Sequence, residues 1–170
     1  VLALATYLIV EAFDEPAYRG AYPRAARIVL PDQDRGIAYA RNFCLDKAAS
    51  WDCDACWILD DDLFDFTRRE PNKRTRELVL APDALRQAEE QLATHPPVAL
   101  AGIPAAWNQK APESISDNVN VYCCIHYRLD RLGSLRYRDS LRLGEDTDMA
   151  LQAITTGAGT CRLNDFDYQM

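Results

Sequence analysis

Residues 57 to 66 read WILDDDLFDF, an apolar run that stops abruptly at Asp60, Asp61 and Asp62. No other stretch constrains the chain more. Adjacent carboxylates repel, and an unpaired buried carboxylate is costly, so this strand end calls for a positive partner. In open α/β sheets such a position, at the carboxyl end of a strand, is where ligands bind. In an extended segment alternate residues face the same side, which lets Asp60 and Asp62 converge while Asp61 faces away. Two hard oxygen donors suit Mg²⁺ or Mn²⁺, which keep waters and take further ligands from phosphates. The plain alternative is a solvated acidic turn that caps a following helix.

The flanking pattern supports an α/β domain. ATYLIVEAF is β-branched, aromatic and nearly continuous in apolar character, and predicts a strand. EPAYRGAYP predicts a short helical turn, ARIVLP a second strand, and GIAYARNFCLDKAAS a helix with Ile37, Ala40, Cys44, Leu45 and Ala48 on one face. CWILD is the third strand. PDALRQAEEQLATH is an amphipathic helix, PVALAGIPA and NVNVYCCIHYRL are strand-like, and EDTDMALQAITTG is a final helix closed by Gly157. Strands and helices alternating over short connections predict a mostly parallel sheet. Residues 67 to 80, polar and basic, read as a mobile loop. At 170 residues the chain is sized for a single domain, taken as 1–170.

Two further segments bear on the aspartates. In DRGIAYARN a glycine opens a helix and Arg41 follows in its early turns, a combination that attracts anions such as phosphate. In LGEDTDMALQ the acids Glu145, Asp146 and Asp148 begin a helix, where they complement the helix dipole or can serve as a general base beside a metal site.

Taken in order, GIxxARN, a strand ending in DDD, and a downstream EDxD helix ending in Gly resemble the GT-A class of nucleotide-sugar glycosyltransferases. Within it, RGIAYARNF, WILDDDLFDF, NVNVYCC and GEDTDMALQ look most like the TET/JBP-associated glycosyltransferases, which glycosylate hydroxymethyl-pyrimidines in DNA. The resemblance implies a three-layer α/β/α sandwich. It also implies a metal-dependent hexosyltransferase moving a sugar from a nucleotide-sugar, best a UDP-sugar, to 5-hydroxymethylcytosine or 5-hydroxymethyluracil in DNA. Asp60 and Asp62 would hold Mn²⁺ or Mg²⁺ and the diphosphate. Gly36, Arg41, Asn42, Asp60 and Asp61 would contact the donor, with Asp60 nearer the ribose, and Glu145 or Asp146 would deprotonate the acceptor. A cytoplasmic setting, in a bacterial or phage-infected cell, goes with it.

The chain departs from that pattern at both ends. The family's first strand and helix are not evident, so a compact variant or a fragment is expected; the start at Val1 rather than Met fits a fragment. No histidine follows the last helix to complete a metal shell. His126 reads as a packed strand residue.

Charge bears on the acceptor. The net charge of −7 argues against a DNA-wide electrostatic footprint. RREPNKRTR, with Arg68, Arg69, Lys73, Arg74 and Arg76, and the arginine-rich stretch 128 to 142 run against it, either as phosphate-facing rims or as solvated surface. Two rival functions follow. One is a GT-A enzyme acting on a saccharide, lipid or protein hydroxyl, and the other a non-catalytic nucleotide- or metal-binding domain of the same fold. No apolar run is long enough for a membrane span, and the opening VLALATYLIV reads as a strand rather than a signal peptide. Most of the six cysteines read as small buried hydrophobes, and Cys53–Cys56 lacks a second pair at zinc spacing.

Overall fold

The computed structural model describes residues 5–69, 76–108, 113–141 and 143–170. The chain runs β1 (Tyr7–Val10), α1 (Glu15–Ala21), β2 (Ala26–Val29), α2 (Ile37–Ser50), β3 (Ala55–Leu59), β4 (Phe64–Arg69), β5 (Arg76–Leu78) and α3 (Ala81–Leu92). It continues through β6 (Leu100–Gly102), a 3-10 turn (Ala106–Asn108), β7 (Ile115–Asp117), β8 (Cys124–Arg128), α4 (Leu129–Leu132), α5 (Glu145–Thr155), β9 (Thr160–Leu163) and β10 (Phe166–Gln169).

A five-stranded sheet in the order β3-β8-β6-β9-β7 forms the centre. The alternation of side chains along β8 explains its two covered faces. Ile125 and Tyr127 join Ala38 and Leu45 of α2 and Met149 and Ala153 of α5 in one core. Cys124 joins Ala84, Leu85 and Ala88 of α3, with Leu163 and Tyr168, in the other. Helices therefore cover both faces, as an α/β/α sandwich requires. Gly102 closes β6 against the segment entering β8: a Cβ there would lie 2.7 Å from Val121 Cβ.

The sheet is mixed rather than mostly parallel. Only β1–β2 and β6–β9 pair in parallel among the named strands. The others, including β8 against both β3 and β6, are antiparallel. Parallel neighbours need a long crossover, usually a helix, and no helix separates β3 from β4 or β9 from β10.

Two further expectations change. The strand-like NVNVYCC is interrupted, because Asn118 (φ 53°) and Cys123 (φ 62°) are left-handed, so β8 begins only at Cys124. The region expected as a loop forms in part a hairpin, with Thr67, Arg68 and Arg69 paired to Leu78, Glu77 and Arg76, and β10 closes it into a second sheet. No helix among the described residues is long and apolar enough to cross a membrane.

Candidate active site at the carboxyl end of β3

Strand β3 ends at Leu59, and Asp60 donates its backbone N–H to Cys123 O at 2.9 Å. Asp61 and Asp62 follow in a turn rather than in an extended strand, so pleat alternation does not govern where they point. Asp61 Oδ2 accepts a hydrogen bond from Tyr18 of α1 at 2.9 Å. Asp62 is exposed and has no partner among the described residues.

The positive partner that the aspartates call for is Arg41. Its Nη2 donates to Asp60 Oδ1 at 2.7 Å, and its Nη1 donates to Glu145 Oε1 at 2.6 Å and to Asp146 Oδ1 at 2.5 Å. One guanidinium thus joins the end of β3 to the first turn of α5, with its Cζ 5.4 Å from the Tyr137 ring centroid. Its side chain is 4 % exposed. Burial pulls against its charge, yet Asp146, Tyr137 and Asp60 together raise its pKa. The planar five-donor fork allows this three-way contact, which a lysine ammonium cannot reproduce in the same plane.

The two acids of α5 differ. Asp146 is buried, and its oxygens accept from Arg41, from Tyr137 Oη at 2.9 Å and from Cys123 N at 3.2 Å. Burial raises its pKa, and Arg41 opposes that rise. Glu145 gives one oxygen to Arg41, and its other oxygen has no partner among the described residues. Gly144 (φ 75°) caps the helix without a side-chain bond, and Asp148 is tied to Arg138 at 2.9 Å.

Cys123 sits where these elements meet. Its left-handed backbone is held from both sides, by Asp146 on its N–H and by Asp60 on its carbonyl. Backbone strain of this kind, roughly 1–3 kcal/mol, persists where the surroundings over-determine it and concentrates at functional sites. Burial and then Asp60 push the Cys123 thiol up to about 12, so it stays protonated.

The other expected donor contacts fall as follows. Asn42 pairs with the backbone of Tyr137 in both directions, Nδ2 to Tyr137 O at 2.8 Å and Tyr137 N to Oδ1 at 3.0 Å. It fastens α2 to the segment before α5, with its amide nitrogen and oxygen both engaged there. Gly36 (φ 80°) caps α2 without a side-chain bond, leaving first-turn N–H groups open to an anion.

Several arginines of the basic segments are engaged within the fold. Arg68 bonds to Gln87, and Arg69 donates its backbone N–H to Asp165 O at 2.8 Å. Arg76 Nε lies 3.2 Å from Asp167 Oδ2, and its Nη2 donates to Ala106 O at 3.1 Å. Arg128 and Arg131 flank Asp130, and Arg136 faces Asp46. Lys73, Arg74 and Arg142 lie outside the described residues. His126, packed against Trp57 with ring centroids 5.1 Å apart, is buried as expected of a core histidine.

No group of three or more metal-ligating side chains is assembled among the described residues. The donor set nonetheless fits a hard divalent cation. One guanidinium cannot neutralise Asp60, Glu145 and Asp146, and Asp61 and Asp62 add to the negative surplus. Mg²⁺ is commonly held by one or two carboxylates, with phosphate oxygens and waters filling the remaining positions.

Sequence reasoning missed Tyr137 and Cys123. Tyr137 lies in a segment noticed only for its arginines. Cys123 fell in an apparent strand, and Asn118, earlier in the same stretch, gave a local hint of a break.

The family described as TET-Associated Glycosyltransferase matches residues 3–170. Among solved structures, S. aureus TarS 1-349 in complex with UDP superimposes with a TM-score of 0.57 at 15 % identity, covering 96 % of this chain and 50 % of that one. S. aureus TarS 1-349 gives a TM-score of 0.59 at 14 % identity, again covering 96 % and 50 %. The chain spans about half the length of these structures, and at such identity they establish the shared fold. No curated protein matches in sequence.

Proposed function

We propose, from the premise that the chain belongs to the TET-associated glycosyltransferase family, that it transfers a sugar from a UDP-sugar to a hydroxyl group at the Asp60–Asp62 strand end. The carrying observation is the Arg41 junction. It fixes Asp60, two residues before the exposed and unpartnered Asp62, and holds Glu145 at the same site with one oxygen available.

Asp60 and Asp62 would hold Mn²⁺ or Mg²⁺, and the bound ion would stabilise the charge that develops on the departing diphosphate. Glu145 receives the proton of the acceptor hydroxyl. The acceptor oxygen bonds to the anomeric carbon as the bond from that carbon to the diphosphate oxygen breaks, and UDP leaves with the electron pair. Asp146 is a positioning residue: its contacts to Arg41, Tyr137 and Cys123 fix α5 against β3. The open first turn of α2 supplies N–H groups for the diphosphate.

The acceptor assigned by this reading is a 5-hydroxymethyl-pyrimidine in DNA, supported by family membership. A duplex base would have to be flipped out to reach the site. The internal ion pairs of Arg76, Arg128, Arg136 and Arg138, with the net charge of −7, favour the second reading, a saccharide, lipid or protein hydroxyl. The test is incubation with UDP-sugars, Mn²⁺ and hydroxymethylated DNA, followed by mass measurement of the released nucleosides. A hexose added to the hydroxymethyl nucleoside supports the DNA acceptor. UDP release without nucleoside modification, raised by added saccharide, moves the assignment to the second reading.

A further inference from the structure

The 3-10 turn after β6 carries an unexplained side chain. Trp107 is 71 % exposed, although tryptophan is usually well buried and its exposed surface is costly. The turn itself is firmly held. Arg76 Nη2 donates to Ala106 O at 3.1 Å, and Asn108 N donates to Ala105 O at 2.9 Å. Asn108 Nδ2 donates to Tyr122 Oη at 2.8 Å. Fully buried Ala105 also bridges to Tyr168 of β10. One side of the indole is backed by Tyr122, with ring centroids 6.1 Å apart and planes inclined at 27°.

Topology places this aromatic pair beside the acidic strand end. Both β3 and β6 are antiparallel to β8, so they run in the same direction and end at the same edge of the sheet. They are separated only by β8, which puts their ends about 10 Å apart. Tyr122 immediately precedes Cys123, whose N–H and carbonyl bind Asp146 and Asp60. The aromatic pair is thus joined, through the Tyr122–Cys123 backbone, to the segment that Asp60 and Asp146 hold.

We propose that Trp107, backed by Tyr122, is the stacking platform for the acceptor ring, namely the flat pyrimidine that carries the hydroxymethyl group. The assignment rests on the glycosyltransferase reading above. Base–aromatic stacking tolerates any base, so the platform supplies affinity while the carboxylates select the reacting hydroxyl.

The test is equilibrium binding to wild type, Trp107→Ala and Trp107→Phe, using three probes: a single-stranded oligonucleotide containing 5-hydroxymethylcytosine, a neutral oligosaccharide, and UDP with Mn²⁺. The platform predicts that Trp107→Ala weakens oligonucleotide binding by roughly ten- to a hundredfold while Trp107→Phe keeps most of it. UDP binding and melting temperature stay unchanged in both variants. Equal oligonucleotide affinity for wild type and Trp107→Ala overturns the platform. So does a parallel loss of UDP binding, which marks a structural role, or a loss confined to the oligosaccharide, which marks a saccharide acceptor. No oligonucleotide binding by wild type overturns it as well. If wild type binds the oligonucleotide through Trp107 but never binds UDP, the donor reading fails and the platform stands.

Discussion

Arg41 Nη1 donates to Glu145 Oε1 at 2.6 Å across 104 residues of chain, while the same guanidinium holds Asp60 through Nη2. This contact gives the site its geometry, because it sets the α5 acid relative to the β3 acid. Removing the guanidinium leaves Asp60, Glu145 and Asp146 without the cation that joins them. Arg41→Ala is expected to cost about 3–5 kcal/mol of stability. Arg41→Lys should cost less but still abolish the three-way contact. Urea unfolding of both variants beside wild type measures this, and a loss below about 1 kcal/mol for the alanine variant would contradict the junction's structural role.

The neighbouring acids of α5 should separate by kind of effect. Glu145→Gln is expected to lower kcat by about two orders of magnitude or more, with UDP affinity retained, because a general base contributes in the transition state. Asp146→Asn breaks a buried network and should appear mainly as lost stability, on the order of 2–4 kcal/mol. Turnover and thermal melting of the two variants provide the comparison. Identical behaviour of the pair would sink the division of roles.

Burial holds His126 neutral and lowers its pKa from 6.5 to about 4. Between those values the unfolded chain binds a proton that the folded chain does not. Stability is therefore full above about pH 6.5 and falls as pH drops toward about 4, by up to roughly 3 kcal/mol. Asp146 and Asp167 have raised pKa values in the fold and act in the opposite sense. Comparison with His126→Phe isolates the histidine: the variant should lose most of the slope between pH 6.5 and 4.

Arg76 was legible as a surface cation, but it reaches into the fold. Asp167 is fully buried, and its Oδ2 has only the poorly aligned Arg76 ion pair, while Thr67 bonds the other oxygen. Arg76→Ala should cost about 1–3 kcal/mol, and adding Asp167→Asn to that variant should restore part of the loss. Denaturation midpoints of the single and double variants measure this, and a neutral Arg76→Ala would return the residue to the solvated surface.

What could be read from the sequence was what local pattern encodes. The apolar run before Asp60, the helix opened by Gly36 and the acidic start at Glu145 each carry their signal within a few residues. The relationships that build the site do not. Arg41 meets Asp60 and Asp146 at separations of 19 and 105 residues, and Asn42 meets Tyr137 at 95. An arginine before an asparagine in a helix looks the same whether it faces phosphate or a buried carboxylate. The second sheet stayed hidden because FDFTRR alternates for only three residues before turning polar and basic, REL is only three residues long, and β10 supplies the partner from the far end of the chain.

The central claim is that the Asp60–Asp62 strand end binds a nucleoside diphosphate through a divalent cation. Titration calorimetry with UDP, with and without Mn²⁺, on wild type and Asp62→Asn tests it most directly. Asp62 has no partner among the described residues, so its substitution should leave the melting temperature intact. The account predicts UDP binding by wild type that depends on Mn²⁺ and weakens by at least about tenfold in Asp62→Asn. UDP binding of equal strength without Mn²⁺, or unchanged Mn²⁺-dependent binding in Asp62→Asn, would contradict it.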